Sequence, residues 1–394
     1  MSEEQVNTAL SPVHDHLDDP SGEPATGVAL CMSGGGYRAM LFHLGALIRL
    51  NEFGYLPKLT LVSSVSGGSI TNGVLALAWK KLRFNNDGTA TNFEELVTKP
   101  IREMASDSID VSSILEGIFG GVSQHVSDHY NQYLYKKATL QDLPGEGEGP
   151  RFVFNATSLQ TGTLWRFTRC YMGNYKVGLV KNPKVELATA VAASSAFPPL
   201  LSPCVLDLDP TQFDPGVKVP PLPQHMKLDD FRNQIALADG GVYDNLGLET
   251  AWKSCRTVLV SNGGGALDLQ VDPKHDWISQ TNRILMIIYA QVVTLRTRSI
   301  VELYKLKVRD GAYWGIGSDI LNYHLKDALA CSIDDTTPIA QTGTRLTAID
   351  DTRQQQLIDW GYAICDAAAR KHVPGLQDAP APATTPYGIF RRAN

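Results

Sequence analysis

Three short turns hold the residues whose types and spacing could do chemistry. In Ser64-Val65-Ser66-Gly67-Gly68, an apolar run stops in serines and paired glycines, and a helix-like stretch, "ITNGVLALAW", follows at once. Small residues two before and two after a serine let strand and helix backbones approach closely, which is the pattern of a nucleophile elbow. The Ser66 hydroxyl would then stand at a helix N-terminus, where backbone N–H groups stabilise developing negative charge. The same residues also suit a serine-rich strand–helix loop with Ser66 as the helix cap. The second turn, "SGGGYR" (33–38), offers consecutive N–H groups at Gly34, Gly35 and Gly36 with no side chain in the way, an anion cradle suited to an oxyanion. The third, "ADGGVYDN" (238–245), ends an apolar run in Asp239. A carboxylate there could reach a serine at another strand end of the same sheet, although an Asp-Gly pair is also an ordinary turn.

Together the three turns supply the parts an esterase needs: a held-out serine, an N–H cradle and a carboxylate. No histidine occupies a comparable turn after Ser66, so a Ser–Asp dyad is a simpler reading than a Ser–His–Asp triad. His43 is the histidine nearest the cradle in sequence, and Asp244 is a second candidate base, better suited to anchoring its turn through backbone hydrogen bonds. A rival exists for the cradle. Gly34-x-Gly36-x-x-Ala39 fits a loose dinucleotide fingerprint, but the next strand ends in Ser63, Ser64 and Ser66 where an acidic ribose ligand is required.

These turns need an α/β scaffold. "TGVALCM" (26–32) reads as a strand, and from Tyr37 the spacing of Leu41, Leu44 and Ile48 predicts a helix capped by Gly54. "LTLVSSV" is a second strand, followed by a helix marked by Ile70, Val74 and Leu77. Strand, glycine turn, helix, strand, serine/glycine turn and helix in succession imply a mostly parallel sheet. "RFVFNATSLQTGTLWRFTRCY" reads as two strands about a turn, "VELATAVAASSAFPPLLSP" as a helix ending in prolines, and "LDPTQFDPGVKVPPLPQ" as a surface loop. "RTVLVSNGGGA" is expected to be the last strand of the sheet, and its glycines either add a wall to the site or serve the fold alone. Long helical patterns follow at about 276–308 and 350–371.

Composition narrows the classes. A 394-residue chain with 43% hydrophobic and 19% charged residues reads as a soluble globular protein. A net charge of -6 and the lack of a basic run argue against nucleic acid as a partner. No apolar run approaches about 18 residues, so no transmembrane helix is expected, and the acidic start is not that of a secretory signal. The six scattered cysteines read as free thiols of a reducing compartment, and a cytoplasmic location, in part peripheral at a membrane, is expected. His125 and His129 lie four apart without a third ligand at metal spacing, so no metal and no cofactor is expected.

The order and spacing of "SGGGYRA", "SVSGGS", "AVAASSAFPPLLSP" and "LADGGVYDNLG" resemble the patatin-like phospholipase family, which includes the cytosolic phospholipase A catalytic domains. The resemblance covers roughly residues 26–265, with Ser64 in place of the first glycine of the elbow. It implies a three-layer α/β/α fold with a mostly parallel central sheet and hydrolysis of lipid acyl esters by a Ser–Asp dyad. By position it makes Ser66 the nucleophile, Asp239 the base, Gly34, Gly35 and Gly36 the oxyanion hole, Ser64, Gly67 and Gly68 the elbow, and Arg38 a basic residue for lipid phosphate. The expected organisation is a mobile arm over 1–24, a catalytic core over 25–265, a helical extension of the same domain over 266–372 and a loose tail over 373–394. The expected partners are a phospholipid or other acyl-ester lipid and, transiently, a membrane surface. A catalytically weak lipid-binding or scaffold protein on the same fold is the alternative, ahead of a dinucleotide-binding enzyme. The apolar stripe Ile114, Leu115, Ile118, Phe119 and Val122, with Gly120 and Gly121 beside it, is the segment expected to face lipid, or else a core helix.

Overall fold

The computed structural model describes residues 26–109, 121–267 and 269–392. The expected N-terminal arm and nearly all of the 112–122 stripe lie outside these residues; Val122 is buried at the start of a helix.

The sheet runs β1 (Val28–Met32), β2 (Leu61–Ser64), β3 (Arg151–Ser158), β4 (Thr163–Phe167), β5 (Tyr171–Asn174), β6 (Gly178–Lys181), β7 (Cys204–Asp207), β8 (Gln234–Asp239), β9 (Thr257–Asn262) and β10 (Asp310–Gly315). Its order is β10-β9-β1-β2-β3-β4-β5-β6, with β8 on β3 and β7 on β8. Strands β10, β9, β1, β2 and β3 pair in parallel, and β4 to β8 join antiparallel, so the sheet is mixed. β9 is not the last strand: "DGAYWG" adds β10 at its edge. That segment carries two glycines and little apolar alternation, which is why it does not read as a strand.

The framing helices are α1 (Gly36–Glu52), α2 (Gly67–Ala78), α3 (Leu187–Ser194), α4 (Leu248–Ala251), α5 (Trp277–Lys305) and α6 (Asp351–His372). The two-residue period of β1 sends Leu30 and Met32 into one core, with α1 and α6, and Ala29 and Cys31 into another, with α4 and Ile300 of α5. Helices therefore cover both faces of an α/β/α arrangement. α6 starts at an Asp350 cap that accepts from the Arg353 N–H (3.0 Å) and ends in Arg370, Lys371 and His372, the charge order that a helix dipole favours. The chain after α6 folds back on it: Asp359 accepts the N–H groups of Tyr387 and Ile389 (both 3.0 Å), and Phe390 is buried.

Among the described residues α5 is the one helix long and apolar enough to cross a membrane by length and composition. Polar residues interrupt its apolar runs, so counting uninterrupted residues misses it.

Candidate active site

Register decides how the three turns meet. β3 has β4 along one edge. Its other edge carries β2 opposite residues 151–154 and then β8 opposite 156–158, the two running in opposite directions. β2 and β8 thus share one lane and approach head to head, β2 ending at Ser64 opposite Phe154 and β8 at Asp239 opposite Ala156. Two residues of strand separate those levels, about 7 Å. The elbow bearing Ser66 turns out of this gap. Expected at the carboxyl edge of a parallel sheet, Asp239 arrives instead on an antiparallel strand, from the opposite side.

Ser66 has φ 51° and ψ −121°, a conformation rare for a residue with a side chain, and caps α2. Several contacts hold it there. The Ser66 N–H donates to Ser194 Oγ (3.0 Å), and the Ser194 hydroxyl donates to the Asn155 carbonyl (2.7 Å). Asn155 Nδ2 in turn donates to Ser63 Oγ and to the Ser64 carbonyl, both at 2.9 Å. Gly67 is required by closeness: a Cβ there would stand 2.1 Å from the Gly36 carbonyl oxygen. The elbow and the cradle are therefore packed backbone on backbone.

The cradle divides its donors. The Gly34 N–H goes to the carbonyl and side-chain oxygens of Asn245, both at 3.1 Å. Among the described residues the N–H groups of Gly35 and Gly36 have no hydrogen-bond partner, as expected at a helix N-terminus. Gly36 has φ 61°, and a Cβ there would lie 2.5 Å from the Arg345 carbonyl. A Cβ on Gly34 would fall 3.0 Å from that of Ser66, which places the serine directly beside the cradle.

Asp239 is 1% exposed, and burial raises its carboxyl to about 7, against the opposing effect of hydrogen bonds from the Gly241 N–H and the Ser66 hydroxyl. The Gly241 N–H lies 2.7 Å from Oδ1, and Thr157 Oγ1 donates to the Asp239 carbonyl at 2.8 Å. A buried carboxyl with a raised pKa, a strained serine and two unfilled N–H donors are groups that can serve acyl transfer.

Residues 30–252, more than half of the chain, match the family described as patatin-like phospholipase. The chain belongs to the patatin-like phospholipase family. Patatin-like phospholipases are, as a family, acyl hydrolases of lipids. No curated protein matches the chain in sequence. Among solved structures it is similar to human GIVD cytosolic phospholipase A2 in complex with methyl gamma-linolenyl fluorophosphonate and terbium chloride, at 13% identity and a TM-score of 0.49, over 93% of this chain and 62% of that one. VipD from Legionella pneumophila is similar at 15% identity and a TM-score of 0.36, over 88% of this chain and 68% of that one.

In this patatin-like chain the dyad candidates, the cradle and Arg38 open into one cleft of about 2890 Å³, together with Asn245, Asn262, Gly264 and Gly265. "SNGGGA" thus adds a wall to the cleft as well as serving the fold. Arg38 Nε donates to the Gly263 carbonyl (3.1 Å) and Nη1 to the Thr342 carbonyl (2.6 Å), so this cation is fixed against the loops beside the cradle. Ser64 is turned away from the cleft, bonded to Ser69 (2.9 Å) and Asn72 (2.8 Å) inside the core.

Other residues fall elsewhere. Asp244 accepts the N–H groups of Leu246 (3.2 Å) and Glu249 (2.7 Å) and faces Arg296, which is the turn-anchoring role. His43 is buried between Ser261 Oγ (2.8 Å) and the Ser33 carbonyl (2.9 Å), and burial lowers its pKa to about 4. The carbonyl can only accept, so Nε2 carries the proton and Nδ1 accepts from Ser261; neither nitrogen bonds the dyad candidates. His129 lies 3.7 Å from Asp107.

Sequence reasoning missed Ser194, Asn155 and Asn245. Their signal was present only as the second half of "AVAASSAF", a polar residue inside β3 and the residue after Asp244. Ser194 also bonds Ser69 Oγ at 2.8 Å, so Ser194→Ala removes one member of a buried network and strands its partners. The expected cost is about 1–3 kcal/mol of stability. Denaturant unfolding reads the loss, and an unchanged midpoint would show that Ser194 does not support the elbow.

Proposed function

We propose that this protein is a serine acyl hydrolase that cleaves acyl esters of glycerophospholipids through a Ser66–Asp239 dyad. The observation that carries the reading is the Asp239 carboxyl, buried and raised to about 7, in one cleft with a serine at φ 51° and open N–H donors. In the first half-reaction Asp239 takes the Ser66 proton as Oγ attacks the ester carbonyl. Gly35 and Gly36 donate to the oxyanion, while Gly34, tied to Asn245, fixes the position of the cradle. Collapse of the intermediate expels the alcohol, which leaves with the proton from Asp239. The same carboxylate then takes a proton from water, whose oxygen attacks the acyl-Ser66 ester. Arg38 beside the cradle supplies the positive charge suited to a headgroup phosphate.

The direct test is a fluorophosphonate probe with mapping of the labelled residue. Label on Ser66 supports the proposal; label on Ser33, Ser63 or Ser64, or none, overturns it. The pH profile is a further test. Asp239 must be ionised to accept a proton, so kcat/KM should rise with pH through about 7 and level off above it. At two units below that point about one molecule in a hundred carries the base form, so the rate should be about a hundredfold below plateau. A profile flat from pH 5 to 8 would remove Asp239 as the base.

A further inference from the structure

Helix α5 is apolar on two opposite sides. On a period of 3.6 residues Tyr289, Val293, Arg296, Ile300 and Tyr304 share one side. That side is fastened to the protein. Arg296 Nη1 donates to Glu249 Oε2 (2.9 Å), the Tyr304 hydroxyl to the Val258 carbonyl (2.7 Å), and Tyr289 packs edge-on against Phe197. Trp277, Ile284, Ile287, Ile288 and Leu295 share the other side, between 47% and 76% exposed, with Gln280 and Gln291 as polar exceptions and with Arg298 and Glu302 ending the stripe beyond Leu295. This outer stripe is about 27 Å long.

We infer that the outer stripe of α5 docks in plane on a lipid surface and feeds the cleft behind it; the inference rests on the lipid-hydrolase reading for its purpose. Three observations choose a lipid surface over a protein partner. Tyr289, Ala290 and Val293 on the inner side line the cleft that holds Ser66 and Asp239, so α5 is the wall between that cleft and the outside, about 10 Å thick. Ile284 belongs both to the stripe and to the cleft lining, and Leu269 (98% exposed) and Ile278 (62%) carry apolar surface into the mouth. An acyl chain leaving a bilayer needs apolar surface at the mouth of the cleft as well as on the outer face, whereas a protein partner needs only the outer face. Exposed Trp277 at the start of α5 supplies the aromatic residue of an interfacial helix end, with the charges of Lys274 and His275 balanced by Asp272 and Asp276. A spanning orientation would require α5 to give up its bonds to Glu249 and Val258, so the helix lies on the surface.

The experiment uses the full chain, vesicles of ether-linked phosphatidylcholine, which an acyl hydrolase cannot cleave, and a short soluble ester assayed in parallel. The variant Ile287→Gln/Ile288→Gln/Leu295→Gln changes only exposed positions outside the cleft lining and keeps good helix formers. Its partition to vesicles should fall at least about tenfold, since three apolar side chains no longer leave water, with turnover of the soluble ester unchanged. A second variant, Gln291→Leu, fills the polar gap and should strengthen binding about threefold. Vesicle binding equal to the parent's in both variants overturns the inference. So does a parent that ignores vesicles but runs as a dimer which the triple variant turns into a monomer, because the stripe is then an interface between copies. If the parent binds vesicles, the triple variant does not, and neither cleaves the soluble ester, docking stands and the hydrolase reading fails.

Discussion

Ser66→Ala is expected to lower ester turnover by about a thousandfold or more and to abolish fluorophosphonate labelling, with the fold intact. The proposed reaction forms a covalent bond to Ser66 Oγ, and the hydroxyls next to it in the chain are committed elsewhere. Ser64 Oγ is committed to Ser69 and Asn72, and Ser63 Oγ to Asn155. Alanine keeps the small side chain that the elbow accepts at φ 51°, and the Ser66 N–H bond to Ser194 comes from the backbone, so both survive. Steady-state hydrolysis of a short soluble ester and an unfolding curve check the two halves of this prediction. Near-normal turnover in a folded variant would show that Ser66 is not the nucleophile.

Asp239→Asn should cost at least about a hundredfold in rate and yet leave the protein more stable above neutrality. Asparagine keeps the shape and can still accept the Gly241 N–H, but it cannot take a proton from Ser66. The stability effect has a definite sign. The folded-state carboxyl sits at about 7, above its unfolded value, so the native chain holds a proton that the unfolded chain has released. The parent's stability is therefore greatest below the unfolded carboxylate pKa and declines as pH rises through 7, where a charge is forced into a buried site. The variant has no such charge, so its advantage should grow from about pH 4 to pH 7 and then level off at a few kcal/mol. Denaturant unfolding at pH 4, 6 and 8 reads this directly. A variant that loses activity through unfolding would show the opposite trend. His43→Asn is the companion measurement: with both ring nitrogens engaged by Ser33 and Ser261, His43 supports the strand ends, so its loss should lower stability without shifting the pH midpoint of turnover.

If these results hold, the dyad runs on a compromise. The burial that keeps Asp239 near neutrality, and so able both to accept and to return a proton, is the same burial that makes its ionised form costly to the fold. The strain at Ser66 belongs to the same compromise, since only the dense network of Ser194, Asn155 and the glycine contacts holds a serine at φ 51°.

Some of this was fixed by the order of residues alone, because it depends on local sterics and periodicity. β1, β2, α1 and α2 follow from alternating and 3.6-residue apolar spacing. The Ser66 elbow and the glycine cradle follow from which residue types tolerate a strand bending straight into a helix, and those short signals survive in any tertiary setting. Other features depend on neighbours far away in the chain. The lane that β2 and β8 share, which brings Asp239 to Ser66 from the opposite direction, exists only because β3 has two edges and β4 occupies one of them. The division of labour among Gly34, Gly35 and Gly36 is decided by Asn245, and the edge strand β10 by the free side of β9. The outward stripe of α5 became visible only when Tyr289, Val293, Ile300 and Tyr304 had taken the inner side, because an apolar sequence records that a side chain avoids water, not what will cover it.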